Sequence, residues 1–315
     1  MSTTTPKAPS RRARRAAPAA GATVLFDAPG PVARRNALGF SLVGAAIVLA
    51  LLVLAVLRLA DRGQFDAALW APLLDPSDTD FQQVWKLIGT GLGNTLRAAV
   101  IAIVLSLVIG TVIALLRLSL GRVGRVPVVA LIELLRGLPV VITILLVYTV
   151  VTSYGVNLGF LPGGRDLWIL VIGLTLYNCV IIAEIVRAGV VSLPRGQREA
   201  ALAVGLTNQQ AMRSILLPQA FRVMLPSLIS QLIVVLKDTS LISLIGGYIE
   251  LLKQGGLLIQ NLGNPIQVYV VIGIIYILIN YTLGKLAEYV QRRSSRSSAS
   301  GQVPIVDGAT GTATA

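Results

Sequence analysis

Four stretches of this chain, Ala37–Leu57, Ala98–Leu116, Val140–Val151 with its flanks, and Ile266–Leu283, are long, apolar and almost free of charge. A helix needs about 20 such residues to cross the hydrocarbon core of a bilayer. None of the runs alternates apolar and polar residues as a half-exposed strand does, so a helical bundle is expected and a barrel is not. A chain that is 55% hydrophobic and 13% charged could not supply the polar shell of a water-soluble domain. The expected fold class is an all-α membrane protein with about six transmembrane helices, embedded in the lipid bilayer.

Chemistry is limited by what the sequence lacks. There is no histidine and one cysteine, Cys179, which lies inside an apolar stretch. A disulfide within the chain and any histidine-based metal or acid–base site are therefore excluded. No GxxxxGK[ST] loop is present to cradle a nucleotide. The chain is expected to bind no cofactor of its own and not to be an enzyme. Energy for any uphill movement has to come from a partner or an ion.

A net charge of +13 could suggest a nucleic-acid partner, but the placement of the charges follows membrane topology instead. Lys7, Arg11, Arg12, Arg14, Arg15, Arg34 and Arg35 all precede the first apolar run. Spans are expected at about Ala37–Leu59, Gly91–Leu116, Val128–Val151, Leu167–Val190, Val223–Ile249 and Ile266–Tyr289. With the amino terminus in the cytoplasm, only Arg62, Lys86, Arg165 and Lys253 fall in outer connectors, and the inner segments carry the basic excess. Both termini are thus expected on the cytoplasmic side, and the first run reads as an anchor and not as a removed signal. The expected organisation is a disordered basic tail over 1–36, a leading helix over 37–59, and an acidic outer connector over 60–88. A helical core over 89–290 and a second tail over 291–315 complete it.

Within the second span, Ala98, Ala102, Ser106, Gly110 and Ala114 recur at every fourth position and share one helical ridge. Small residues on one ridge let a neighbouring membrane helix approach closely, so this is read as a packing seam.

Residues 191–221 are too polar to span, yet rich in helix signals. Ser192 and Pro194 suit a helix start, Glu199–Val204 holds helix formers, and Gly205 stands where a left-handed residue would end the helix. Thr207 followed by Gln210 is a capping-box pattern for a second short helix. A compact helix–turn–helix between two spans is expected.

Glu199-Ala200-Ala201, three residues, Gly205, nine residues, Ile215, one residue, Leu217-Pro218 resembles the EAA signature of type-I ABC importer permeases. The resemblance implies that this hairpin is a coupling element seated in a groove of an ATPase subunit, with Glu199, Ala200, Ala201, Gly205, Ile215, Leu217 and Pro218 at the contact. It narrows to the polar amino-acid branch. Arg136-Gly137-Leu138-Pro139 resembles that branch's RGxP element, Ala183–Gly189 its AExxRxG element, and Leu236–Leu241 its LKDTSL element. The extra leading helix is similar to that of glutamate-importer permeases. The resemblance covers the five-helix core and implies several partners in a bacterial cytoplasmic membrane. These are an ABC ATPase dimer that uses the ATP, a second permease subunit (the same or a related chain), and an extracytoplasmic amino-acid-binding protein.

Polar side chains inside spans are costly and need a reason. Lys237, Asp238, Thr239 and Ser240 interrupt the fifth span, where a break would free backbone groups for a ligand or bind neighbouring helices. Asn178 lies deep in the fourth span, suited to a substrate or to another helix. Glu184 and Arg187 are spaced for a pair on one helix; Glu133 and Arg136 share that spacing and are read as part of an ATPase-facing rim or as a local pair. Asn178, Glu184, Lys237, Asp238, Thr239 and Ser240 together form the expected substrate pathway. A stand-alone ion-coupled carrier or channel is the competing reading, and it leaves the hairpin without a task.

Overall fold

The computed structural model describes residues 30–299, with side-chain surroundings given over 30–289. It divides into two units, the first ending at Gly63 and the second beginning at Gln64. The first unit is one helix, α1 (Pro31–Asp61), which opens with proline at its first position, where the missing N–H is no loss. The tail boundary expected at residue 36 therefore moves back to Pro31, and residues 1–29 of that tail lie outside the described residues.

The second unit is wholly helical among the described residues. A short helix, α2 (Ala67–Leu74), leads into α3 (Phe81–Ser119), whose 39 residues exceed the expected span at both ends. At about 1.5 Å per residue α3 is longer than the bilayer core is thick. Its extra amino-terminal turns are held by burial of Val84 and Ile88 against Leu73, Leu251, Val268 and Ile272. Trp85 also donates its indole N–H to the Leu73 carbonyl at 3.0 Å. Part of the connector expected outside the core, Leu73 with Val84 and Ile88, is therefore packed within the second unit. Asn264 and Gln267 add bonds to the carbonyls of Leu69 and Gln64, at 2.8 and 2.7 Å.

The third expected span is not one straight helix. α4 (Arg122–Gly137) and α5 (Val140–Ser153) meet at an angle of 101°. Leu138, forced toward extended backbone by the proline after it, has φ −90° and ψ 137°, and Pro139 starts the new helix. Next comes α6 (Gly164–Val191), the most buried of the candidate spans. The hairpin helices α7 (Arg195–Ala203) and α8 (Asn208–Ala211) follow. One π-helical segment (Met212–Leu216) then runs straight into α9 (Leu217–Asp238). α9 tightens to a 3₁₀ segment over Thr239–Leu244, so the fifth span stops short of the expected Ile249. A further amphipathic helix, α10 (Leu251–Leu262), was not foreseen, and α11 (Pro265–Ala299) closes the described chain. α11 carries helix into the tail expected over 291–315, of which 300–315 lie outside the described residues. Among the described residues, five helices are long and apolar enough to cross a membrane, or six if the bent pair is one span.

The centre of the second unit is the seam between α3 and α6. Ala98, Ala102, Ser106 and Ala114 are fully buried. A Cβ on Gly110 would stand 2.5 Å from the Cys179 carbonyl oxygen and 2.9 Å from Ile182 Cγ2. With no hydrophobic drive between helices in lipid, this close backbone approach and the Arg117–Glu184 ion pair hold the helices together.

Candidate functional site

The hairpin is built by local rules. Pro194 precedes the first turn of α7, and the Ser192 hydroxyl bonds back to the Gly189 carbonyl at 2.9 Å. α7 ends in a left-handed cap: Gly205 has φ +86°, its N–H bonds to Leu202, and the Leu206 N–H reaches back to Ala201. Thr207 and Gln210 complete the expected capping box. The Gln210 N–H donates to Thr207 Oγ1 at 3.3 Å, and the Thr207 N–H donates to Gln210 Oε1 at 2.9 Å. Two side-chain bonds close the motif, Arg198 to Asn208 Oδ1 at 2.8 Å and Gln219 to Gln197 Oε1 at 3.3 Å.

Of the expected docking residues, Glu199, Ala200, Gly205 and Pro218 are exposed, Ile215 and Leu217 are half-buried, and Ala201 is buried under the turn. The Glu199 carboxylate forms no hydrogen bond or ion pair among the described residues, so it stands free for an external partner.

At the same end of α6, Glu184 joins that helix to α3. It accepts from Arg187 Nε at 2.9 Å, as its spacing predicts, and also from Arg117 Nη1 of α3. The second arginine was not foreseen, because it lies 67 residues away in sequence. Its place in the last turn of the second apolar run was the available signal. No ion pair forms between Glu133 and Arg136.

The expected pathway residues do not gather in one place. Asn178 is fully buried; its amide donates to the Leu174 carbonyl at 2.9 Å and its oxygen accepts from Gln231 of α9 at 2.7 Å. It links two helices, the second of the two roles its depth suggested. Lys237 and Ser240 line a cleft of 510 Å³ together with Tyr269, Tyr276 and Asn280 of α11. The break after Asp238 is present, and two hydroxyls make up for the altered ladder there. Thr239 Oγ1 donates to the Leu236 carbonyl at 2.7 Å and Ser240 Oγ to Lys237 at 2.8 Å. Thr239 is buried, Asp238 is half-buried, and Lys237 is exposed.

A second polar cluster escaped the sequence reading. Glu250, fully buried, caps α10 by accepting the N–H groups of Leu252 and Lys253 at 2.8 and 2.7 Å, and it also accepts from Tyr276 Oη at 3.0 Å. Nearby, Thr95 Oγ1 accepts the Leu251 N–H, and Tyr248 Oη donates to the Asn94 carbonyl, both at 3.0 Å. These bonds tie α3, α10 and α11 together beside the Lys237 cleft. A lone glutamate before an amphipathic run gave only a weak signal.

Residues 106–296 match the family described as binding-protein-dependent transport system inner membrane component. The chain belongs to that family. It is 39% identical over 240 residues to the glutamate transport system permease protein GluD of Corynebacterium glutamicum, covering 75% of this chain and 83% of the relative. It is 31% identical over 207 residues to the glutamate/aspartate import permease protein GltK of Escherichia coli, covering 65% of this chain and 92% of the relative. Among solved structures, a chain of an amino acid ABC transporter with histidines aligns with a TM-score of 0.61 at 30% identity, covering 68% of this chain and 96% of that one. A chain of the MetNI methionine ABC transporter aligns at 0.57 and 20% identity and shares the fold.

Proposed function

We propose that this chain is the pore-forming half of an ATP-driven importer for a polar amino acid, glutamate or a close relative, in a bacterial cytoplasmic membrane. The observation that carries this reading is the hairpin. It presents an unpaired Glu199 and small Ala200 on a turn fixed by Gly205, beside the carboxyl end of α3. Two ATPase subunits dock there and use the ATP, and this chain itself binds no nucleotide. A second permease chain, the same or related, completes the pore, and a loaded binding protein engages the outer face. The relatives named above are a glutamate transport system permease protein and a glutamate/aspartate import permease protein. Membership of a binding-protein-dependent family favours this reading over a stand-alone ion-coupled carrier.

The test is uptake of labelled glutamate by cells that carry this chain with its cognate ATPase and binding protein, with unlabelled amino acids as competitors. Uptake that persists without the ATPase would rule the reading out. Orientation is checked in the same cells. Cysteines placed at Ser2, Thr207 and Ser298 should be shielded from an impermeant thiol reagent, and one at Ser77 should react. Outside labelling at position 207 would reverse the assignment of the hairpin to the cytoplasm.

The break at Lys237–Ser240 is proposed to shape the substrate path, with Asp238 as its acidic group. Asp238→Asn keeps size and hydrogen bonding but removes the charge. A hydrogen bond to a charged group is worth roughly 1.5–3 kcal/mol, so uptake should fall at least about tenfold while the complex assembles and hydrolyses ATP. Poor recovery of the variant from the membrane would instead assign Asp238 to holding the helices.

A further inference from the structure

A basic cleft opens where the hairpin meets the ends of α3 and α6, and none of the seven expected docking residues lines it. It has a volume of 660 Å³ and lies between the ends of α3 and α6 and the back of α7–α8, with Leu118, Val190, Arg195, Arg198 and Met212 in its wall. A narrower groove of 250 Å³ adjoins it and runs along α3 past Val112, Leu115 and Leu116, with Arg213 at its lower end. Ser119, Gln209 and Met212 line both, so the two form one continuous depression. Its upper wall is apolar and open: Val112 is 51% and Leu116 45% exposed.

The charges at its lower end are uncompensated. Arg195 and Arg213 form no ion pair among the described residues, and Arg198 spends one N–H on the neutral Asn208 side chain. Glu199 is the sole carboxylate in residues 191–221 and pairs with none of the three. A guanidinium carries five donors, so each retains most of its capacity for phosphate oxygens. The depression thus has a hydrocarbon-lined stem and a cationic foot, set where a membrane-crossing α3 emerges from the apolar core. A ligand matching both ends has an acyl chain and a net negative headgroup; a zwitterionic headgroup brings its own cation and neutralises the match.

We infer that this depression is a binding site for an anionic phospholipid, with one acyl chain along Val112, Leu115 and Leu116 and the phosphate held by Arg195, Arg198 and Arg213. The site requires that α3 cross the bilayer with α7–α8 at its surface. It does not require that the chain import an amino acid, and uptake is not its readout.

The test places a bimane label on the full chain at Ser119→Cys, with the unlabelled parent as blank, in nanodiscs of phosphatidylcholine and phosphatidylglycerol. Bromine is carried on the acyl chains of one lipid or the other. Brominated phosphatidylglycerol should quench with an apparent affinity about tenfold higher than brominated phosphatidylcholine, the preference a few surface cations supply. R195Q/R198Q/R213Q should equalise the two lipids, and R195K/R198K/R213K, which keeps the charge, should retain most of the preference and so separates charge loss from misfolding. Inorganic phosphate at constant ionic strength should leave the preference intact. Equal quenching by the two lipids in the labelled Ser119→Cys chain with its arginines intact, the result if protein covers the cleft, would overturn the inference. So would a preference that survives the glutamine variant, or one abolished by inorganic phosphate, which would make the site one for free phosphate.

Discussion

Gly205→Val is expected to leave the spans inserted and to cut uptake and receptor-stimulated ATP hydrolysis together, each by about tenfold or more. At φ +86° a side chain enters the left-handed region, which costs roughly 1–2 kcal/mol for an ordinary residue and more for a β-branched one. Beyond its two chain neighbours nothing lies within 4 Å of where the Cβ would stand, so the cost is in the backbone turn and not in a clash. Relieving it would undo the cap in which the N–H groups of Gly205 and Leu206 bond to Leu202 and Ala201, and would re-aim Glu199 and Ala200. Gly205→Asn provides the internal control, since asparagine tolerates this backbone and should keep most of the activity. Full transport by the valine variant would mean the hairpin does not couple. A loss equal in the valine and asparagine variants would point away from backbone geometry.

The second large effect is expected in the seam. Gly110→Val should reduce the amount of folded protein recovered from the membrane severely, and Gly110→Ala should already lower the thermal midpoint in detergent. The added Cβ meets the Cys179 backbone oxygen at 2.5 Å, and a carbonyl inside a helix has no rotamer with which to give way. Overpacking a core costs about 1–3 kcal/mol where side chains can adjust, and here α3 and α6 have to separate. Gly93→Ala, in the same helix but with open space around it, should be neutral or slightly stabilising, because alanine is the better helix former by about 1 kcal/mol. Thermal unfolding of the three purified variants, followed by size-exclusion chromatography, checks the order. Equal midpoints for Gly93→Ala and Gly110→Ala would remove the seam from the account.

Much of the fold was legible because it depends on neighbours in sequence. The apolar runs announced the spans, and the four-residue spacing of Ala98 to Ala114 announced a buried ridge. Thr207 with Gln210, and Gly205 after a short helical run, announced a cap and a turn that the structure contains. The bend at Leu138–Pro139 could also have been read, since a residue before proline leaves the helical region, but the apolar run across it hid the break. The candidate site was legible at the hairpin and less so within the bundle. The Glu184–Arg187 pair follows from spacing, whereas Arg117 does not. Asn178 was identified as a polar group needing a partner, but nothing local points to Gln231, 53 residues later.

By itself the sequence determined that this chain is a multi-pass membrane protein, where its longest apolar segments lie, and the cap and turn of the hairpin between α6 and α9. Those properties rest on hydropathy, on caps and on contacts three to five residues apart, all available before any helix meets another. The tertiary structure decided which helix faces which. It placed α2 in the core, set α10 between α3 and α11, and buried Glu250 against its cap and Tyr276. In lipid every helix is apolar on most sides, so hydrophobicity does not select its neighbours. That choice falls to a few small residues and hydrogen bonds whose partners lie far apart along the chain, and only the folded bundle brings them together.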